Sequence, residues 1–530
     1  MFDVLIAGGD VYDGSGAGPV PADVGVYRDR VAAVGRDLPR EAGVVVDAAG
    51  KAVCPGFINI LSHSNLSILQ DPRSLGELTQ GVTTEVFGEG VSMGPLTPRL
   101  KAELEWRGRG LDVEVSWTRL SEYLRHVERR GASQNVASFI GAGTLRAGAV
   151  GYSDRPATPA ELDRMRGIAA EEMADGALGI ASALIYPPGS YAGTSELTSL
   201  CEVAAEYDGC YASHVRGERE QLHAAVGEFL QIVRAAGLRG EVFHLKAMGR
   251  QNWHLMDGAI SLIEEARSAG LPVTADVYPY TASSTGLTSI LPERYHEGGA
   301  LALYDRLGDP EVRAAIRAEL SSGRWGDQSE AENVLILQVA ADENRKWQGR
   351  TLAEVAAAHG ANPIETAMDL IAADRSRIQA AFFSMSEENL RAALRRPWVS
   401  ISSDGTSMAP EGAFLRAPTH PRAYGSFARV LGHYTRDEKV LPLAEAIRRM
   451  SGLPAATLGL AGRGALREGA YADIVVFDPA TVADLATFRD PHQLSAGVSE
   501  VLVNGKVAIS GGAFTGELAG RALAGPGARR

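Results

Sequence analysis

Two histidines, His214 and His244, stand thirty residues apart, and each closes a short apolar run: Gly-Cys-Tyr-Ala-Ser-His214 and Gly-Glu-Val-Phe-His244. A helix-like stretch, residues 218–236, fills the interval, which is about the length of one strand–helix–strand unit. Two imidazoles at matching ends of consecutive parallel strands sit side by side at the C-terminal edge of the sheet. In an eight-stranded α/β barrel that edge is where active sites are built. Neutral imidazole binds metals and moves protons near neutral pH, so the pair predicts a metal or acid–base site. A third polar residue falls in step: Asp276, 32 residues beyond His244, closes Leu-Pro-Val-Thr-Ala-Asp276.

The elements that must carry these residues follow from the alternation of short apolar runs with amphipathic stretches, the pattern of a parallel sheet covered by helices. Strands are predicted at 53–60, 82–87, 135–140, 177–182, 209–213, 240–244, 272–276 and 399–403. Eight strands suit a closed (β/α)8 barrel over residues 53–460. The interval 277–398 is too long for one crossover, so an insertion is expected at about 283–350, before the last strand and over the rim. Within it, Asp309-Pro310-Glu311 opens a helix, with Asp as cap and Pro at the first helical position. The two ends share a different texture of short β-rich runs, at 2–8, 23–27 and 31–35 and again at 472–477 and 501–509. Asn504-Gly505 between apolar runs predicts a hairpin. Residues 1–52 and 461–530 are therefore read as one small β domain assembled from both termini.

Composition narrows the partners. The 530 residues carry 52 Lys and Arg against 65 Asp and Glu, a net charge of -13, with no long basic block. Nucleic acid and anionic membrane surfaces both need concentrated positive charge, so neither is an expected partner. No apolar run approaches the ~20 residues of a membrane span, and the first residues lack the features of a signal peptide. The three cysteines, Cys54, Cys201 and Cys210, form no metal-type pair and no disulfide framework. A cytoplasmic protein acting on a small molecule is expected, with self-association into a homo-oligomer left open.

An ordered set of short segments then carries a resemblance: Pro55-Gly56-Phe57-Ile58-Asn59, Gly81-Val82-Thr83-Thr84, Gly176-Ala177-Leu178-Gly179, Ile185-Tyr186-Pro187-Pro188-Gly189, Ser213-His214-Val215-Arg216 and His244-Leu245-Lys246. It continues through Asp276-Val277-Tyr278-Pro279-Tyr280-Thr281, Ser403-Asp404-Gly405, His420-Pro421-Arg422 and Ala472-Asp473-Ile474-Val475-Val476-Phe477-Asp478-Pro479. Each segment is weak alone; the ordered set, spanning nearly the whole chain, resembles the D-aminoacylases (N-acyl-D-amino-acid deacylases) of the amidohydrolase superfamily. The resemblance implies an α/β fold: a distorted, metal-dependent (β/α)8 barrel of the TIM type with a small β-sandwich domain built from both termini. It also implies a zinc-dependent hydrolase of the linear amide in N-acyl-D-amino acids.

The departures from that family matter as much. Where it carries His-x-His at the end of the first barrel strand, this chain has Leu61-Ser62-His63, and leucine binds no metal. Aligning Gly88-Glu89-Gly90 with the family's Gly-Asn-Cys-Gly, one residue deleted, puts Glu89 at the metal-binding cysteine. A carboxylate replaces a thiolate on zinc at about 2.0–2.2 Å instead of about 2.3 Å. Gly141-Ala142 stands where a Gly-His pair is usual. One zinc held by His214, His244 and Glu89 is thus implied, with the second position impaired. His63 is left open as a further ligand, a substrate contact or a structural residue. Asp404 takes the general-base role by resemblance. Lys246, Tyr280 and Arg422 are candidates for holding the substrate carboxylate, and Asp276 for orienting a ligating histidine. Two alternatives stay open: a hydrolase of another amide, such as a D-residue dipeptide, a cyclic amide or a natural product, and a degenerate binder that does not turn its ligand over.

Overall fold

A computed structural model of the chain describes residues 1–108, 114–322 and 329–528. The expected helix over 218–236 begins later, at Leu222, and ends on Ala236 with Gly237 in the left-handed conformation (φ 70°). It buries Leu222, Ala225, Val226, Phe229, Leu230, Ile232 and Val233, a wide apolar stripe at helical spacing. That stripe covers the strands beside it, and the unit repeats. Parallel strands run at Ile140–Gly141, Gly179–Ala183, Cys210–His214, Arg239–Val242, Val273–Val277 and Val399–Ile401. Helices Thr194–Ala205, Leu222–Ala236 and Met256–Ser268 fall between successive strands of that sheet.

A second parallel sheet holds Phe57–Asn59, Val82–Phe87 and Asn135–Ser138. Every residue of Val82–Phe87 is buried, as expected for a strand covered on both faces. The two parallel sheets meet at both edges. On one side only Phe139 separates Asn135–Ser138 from Ile140–Gly141, and its N–H donates to the Phe87 carbonyl at 2.9 Å. On the other, Ser62 pairs with Gly405, and the Asp404 N–H donates to the Leu61 carbonyl at 3.0 Å.

The run expected as one strand over 53–60 is two. Ala52–Pro55 pairs with Ile474–Phe477 and with the end of Phe2–Val11, whereas Phe57–Asn59 belongs to the second parallel sheet. Gly56 makes the switch: a Cβ there would lie 2.2 Å from the Thr83 hydroxyl oxygen. Strands from both chain ends form a single nine-stranded sheet. Hydrogen bonds on both sides of Ala52–Pro55 make it continuous. A buried polar knot ties it to the parallel strands: Arg463 pairs with Asp473 and Asn504, and Asn504 reaches Asn135 at 2.7 Å.

The expected insertion is larger than 283–350. Its antiparallel sheet orders Ser283–Gly286, Gln379–Phe382 and Val334–Gln338. Because the middle strand comes last in sequence, the unit runs to Phe382. It has its own core, including Leu287, Ile316, Ile336, Val355 and Met368. Helix Pro310–Ser322 opens as expected, with Asp309 accepting from the Glu311 N–H at 2.8 Å. Residues 323–328 of that segment lie outside the described residues.

The Asn504-Gly505 hairpin forms between Val498–Val503 and Lys506–Ser510, with both turn residues left-handed (φ 48° and 78°). A Cβ on Gly505 would sit 1.8 Å from the Arg28 carbonyl oxygen. Gly505→Ala is expected to destabilise the protein by about 1–3 kcal/mol, read as a lower urea midpoint. A midpoint equal to wild type would show that this turn constrains nothing.

Candidate metal centre

His214 is the last residue of strand Cys210–His214, and His244 lies two residues beyond Arg239–Val242. At the neighbouring C-terminal ends, Glu89 follows Val82–Phe87 and Asp404 follows Val399–Ile401. His244 and Asp404 both have positive φ (36° and 46°), a strained conformation that non-glycine residues hold only when their surroundings impose it. Asp276 supplies part of that constraint: Oδ1 accepts from the His244 N–H at 3.1 Å and from Ser402 Oγ at 2.5 Å. It holds the main chain of His244, where a contact with the ring was expected.

The side chains converge. His214 Nδ1 and His244 Nε2 lie 3.0 and 2.9 Å from the same oxygen, Glu89 Oε1. The two rings stand 4.3 Å apart and nearly perpendicular. His63 Nε2 sits 3.1 Å from Glu89 Oε2 and 3.0 Å from Asp404 Oδ1. Arg422 closes the row, 2.6 Å from Asp404 Oδ2.

Charge pairing among these side chains sets their protonation. Burial alone would raise Glu89, but hydrogen bonds from His214, His244 and His63 outweigh it and hold the carboxyl well below its usual range. Burial likewise opposes the charge on Asp404, yet Arg422, His244 and His63 bring it down to about 2. Burial and the Lys246 charge push His244 down, and Asp404, Glu218 and Glu89 overcome them to raise it to about 10. His63 rises to about 9, as bonds to Asp404 and Glu89 outweigh burial.

These residues fit a divalent cation. One ligating atom from each of Glu89, His214 and His244 lies within 4.8 Å of the others, and His63, Glu89 and Asp404 form an overlapping group. Two imidazole nitrogens and a carboxylate oxygen are a zinc-type donor set, and three protein ligands leave the open position of a catalytic site. Leu61 is buried among apolar neighbours and adds no donor.

Lys246 and Arg422 lie at the cluster, but both are already paired. Lys246 Nζ is 2.5 Å from Glu218 Oε1 and 2.8 Å from His244 Nδ1. Arg422 also donates to the Ser284 carbonyl and lies over the Tyr278 ring. Tyr280 is not brought to the cluster. Its hydroxyl faces Asp484 at 3.5 Å and Arg429 covers its ring. Tyr278 stands there instead, its ring against His244, Lys246 and Arg422. The strand ends at Val277, three residues before Tyr280. Glu218 is the residue the sequence reading missed: taken for the start of a helix, it lies in the preceding loop, buried against both histidines. Its spacing of four residues from His214 was the available signal. All three cysteines are buried, and burial raises each thiol.

Comparison with known proteins identifies the family. The pattern of the amidohydrolase family matches residues 44–509. A D-aminoacylase of Alcaligenes xylosoxydans xylosoxydans is 36% identical, the match covering 99% of this chain and 98% of that protein. The crystal structure of a D-aminoacylase superposes with a TM-score of 0.82 at 34% identity, covering 99% of this chain and 100% of that one. N-acyl-D-glutamate deacylase from Bordetella bronchiseptica, solved with zinc and a phosphonate inhibitor, gives a TM-score of 0.81 at 32% identity and 99% coverage of both chains. The chain belongs to the amidohydrolase family, on its D-aminoacylase branch, and has that family's mixed α/β fold with parallel sheets. No helix among the described residues is long and apolar enough to cross a membrane.

A pH signature follows for the metal-free state. His63 and His244, raised to about 9 and about 10, contribute stability that is complete below ~6.5, the ordinary histidine value. It is lost as pH climbs through those raised values. Rings whose nitrogens are held by a metal have no such proton to lose. The urea midpoint of chelator-treated protein is therefore expected to fall, relative to metal-loaded protein, between pH 7 and 10. Parallel midpoints across that range would contradict the proton-held cluster.

Proposed function

We propose that this chain hydrolyses the amide bond of N-acyl-D-amino acids, releasing a carboxylate and the free D-amino acid. The proposal includes a closed eight-stranded barrel, with the two sheet seams supporting closure, and one zinc ion held by His214, His244 and Glu89. The observation that carries it is the convergence of two imidazoles on one buried carboxylate beside the Arg422-paired Asp404. When bound, the ion supplies Lewis acidity, polarising the acyl carbonyl and acidifying water.

The protein's own groups do the rest. Asp404 accepts the proton of the attacking water and returns it to the amine as the C–N bond breaks. Its low basicity in the metal-free cluster owes part to cationic His244 and His63; with those rings neutral, it becomes a better base. Arg422 holds its carboxylate in place. His63, with 38% of its side chain exposed, is the most open member and faces the space for substrate. Lys246 presents its ammonium as the anchor for the substrate carboxylate. With Leu61 in place of a donor, His63, Glu89 and Asp404 form at most a weak second metal position. Small-molecule turnover is proposed for the cytoplasm; nucleic acid and membrane have no part in it.

Zinc analysis and kinetics on the same samples test this reading. Asp404→Asn is expected to keep its metal and lose roughly 10²–10⁴-fold in kcat, while His214→Ala loses stoichiometric zinc. Undiminished turnover in the first would reject the proton-transfer role, and full zinc in the second the ligand assignment. A panel of N-acyl-D- and N-acyl-L-amino acids, D-residue dipeptides and cyclic amides identifies the substrate class. Binding without turnover across the panel would make the chain a degenerate binder.

A further inference from the structure

Glu89 meets the inward nitrogens of the two histidines, and a different carboxylate meets the outward ones. His214 turns Nδ1 toward Glu89 and His244 turns Nε2, so the rings use opposite nitrogens for the same centre. Glu218 lies on their far side. Its Oε2 is 3.4 Å from His214 Nε2 and its Oε1 is 3.2 Å from His244 Nδ1. No hydrogen bond satisfies His214 Nε2 among the described residues, which leaves Glu218 as its one carboxylate neighbour within ion-pair reach.

The Glu218 carboxylate is itself fixed. Only 5% of the side chain is exposed, and Lys246 Nζ neutralises it at 2.5 Å. Its carbonyl accepts from the Met248 N–H at 2.6 Å, clasping the loop after His214 to the loop after His244. Arg216, between His214 and Glu218, anchors the first loop to the Ser190 and Ala192 carbonyls.

A neutral imidazole that gives one nitrogen's lone pair to a metal carries its hydrogen on the other, and that N–H needs an acceptor. We propose that Glu218 is the positioning residue of the metal pair: with the ion bound, each of its two oxygens takes the outward N–H of one ring, and the Lys246 ammonium, 2.8 Å from His244 Nδ1 in this structure, turns wholly onto Glu218. Glu218 thereby sets the tautomer and angle of both ligands together. The same oxygen that serves His244 also holds Lys246, so the substrate-anchoring ammonium is placed by the group that orients the metal ligands. This inference rests on the reading of His214 and His244 as ligands.

The test compares zinc-loaded wild type, Glu218→Gln and the double variant Glu218→Gln/Lys246→Met. Zinc content, release to a chelator and the visible spectrum of cobalt-substituted protein are the readouts, with circular dichroism as the check on folding. Glu218→Gln is expected to stay folded, lose zinc affinity by roughly 10–100-fold and shift the cobalt bands. The double variant is expected to remain impaired, because removing the stranded ammonium restores no acceptor. Wild-type affinity and spectrum in Glu218→Gln would overturn the proposal. Full recovery in the double variant would also overturn it, leaving Glu218 as a counter-ion for Lys246. If wild type itself holds no stoichiometric zinc, the ligand reading fails first and this one with it.

Discussion

Glu89 Oε1 lies about equally far from two buried imidazoles, and the surrounding charges are arranged to make that arrangement tolerable. A buried carboxylate without partners is costly, and so is a buried cation. Here each acid is set among bases: Glu89 among three rings, Asp404 between His63 and Arg422, and Glu218 between the rings and Lys246. Such a set is worth little as net stability, but losing one member strands its neighbour. The constraint is mutual, and it also explains the backbone. His244 and Asp404 are held in left-handed conformations by hydrogen bonds to Asp276 and Leu61, so strain sits at the two positions whose side chains must turn inward.

Glu89 brings two oxygens, one for the histidine pair and one for His63. The carboxylate thus spans both groups of donors. Leu61 packs in an apolar cluster with Ile58, Ile60 and Val86 and offers no donor.

How much was legible in the sequence depended on whether a residue lay on a periodic element. His214 and His244 could be read from spacing because each sits at or just past a strand end, and the strands recur with the helices between them. Glu89 could not: it follows Gly88 in a loop, and only likeness to relatives pointed to it. Glu218 was hidden for a related reason. An acidic residue just before an amphipathic run looks like the start of the helix, and nothing local shows that its loop folds back over two rings. Tyr280 was named for its hydroxyl, which says nothing of where the chain turns once the strand ends at Val277. The extent of the insertion was obscured because Gln379–Phe382 finds its partners in strands far upstream, and non-local pairing leaves no local trace.

Ala52–Pro55 has one neighbour near the start of the chain and the other more than four hundred residues later, at Ile474–Phe477. During synthesis the early strands can pair with one another as soon as they emerge, yet this one keeps an open side until almost the whole polypeptide has been made. An apolar edge left bare for so long invites association with other nascent chains. Shortening the protein at its far end would make that temporary exposure permanent, with the damage appearing beside the first parallel strand and not where the cut was made.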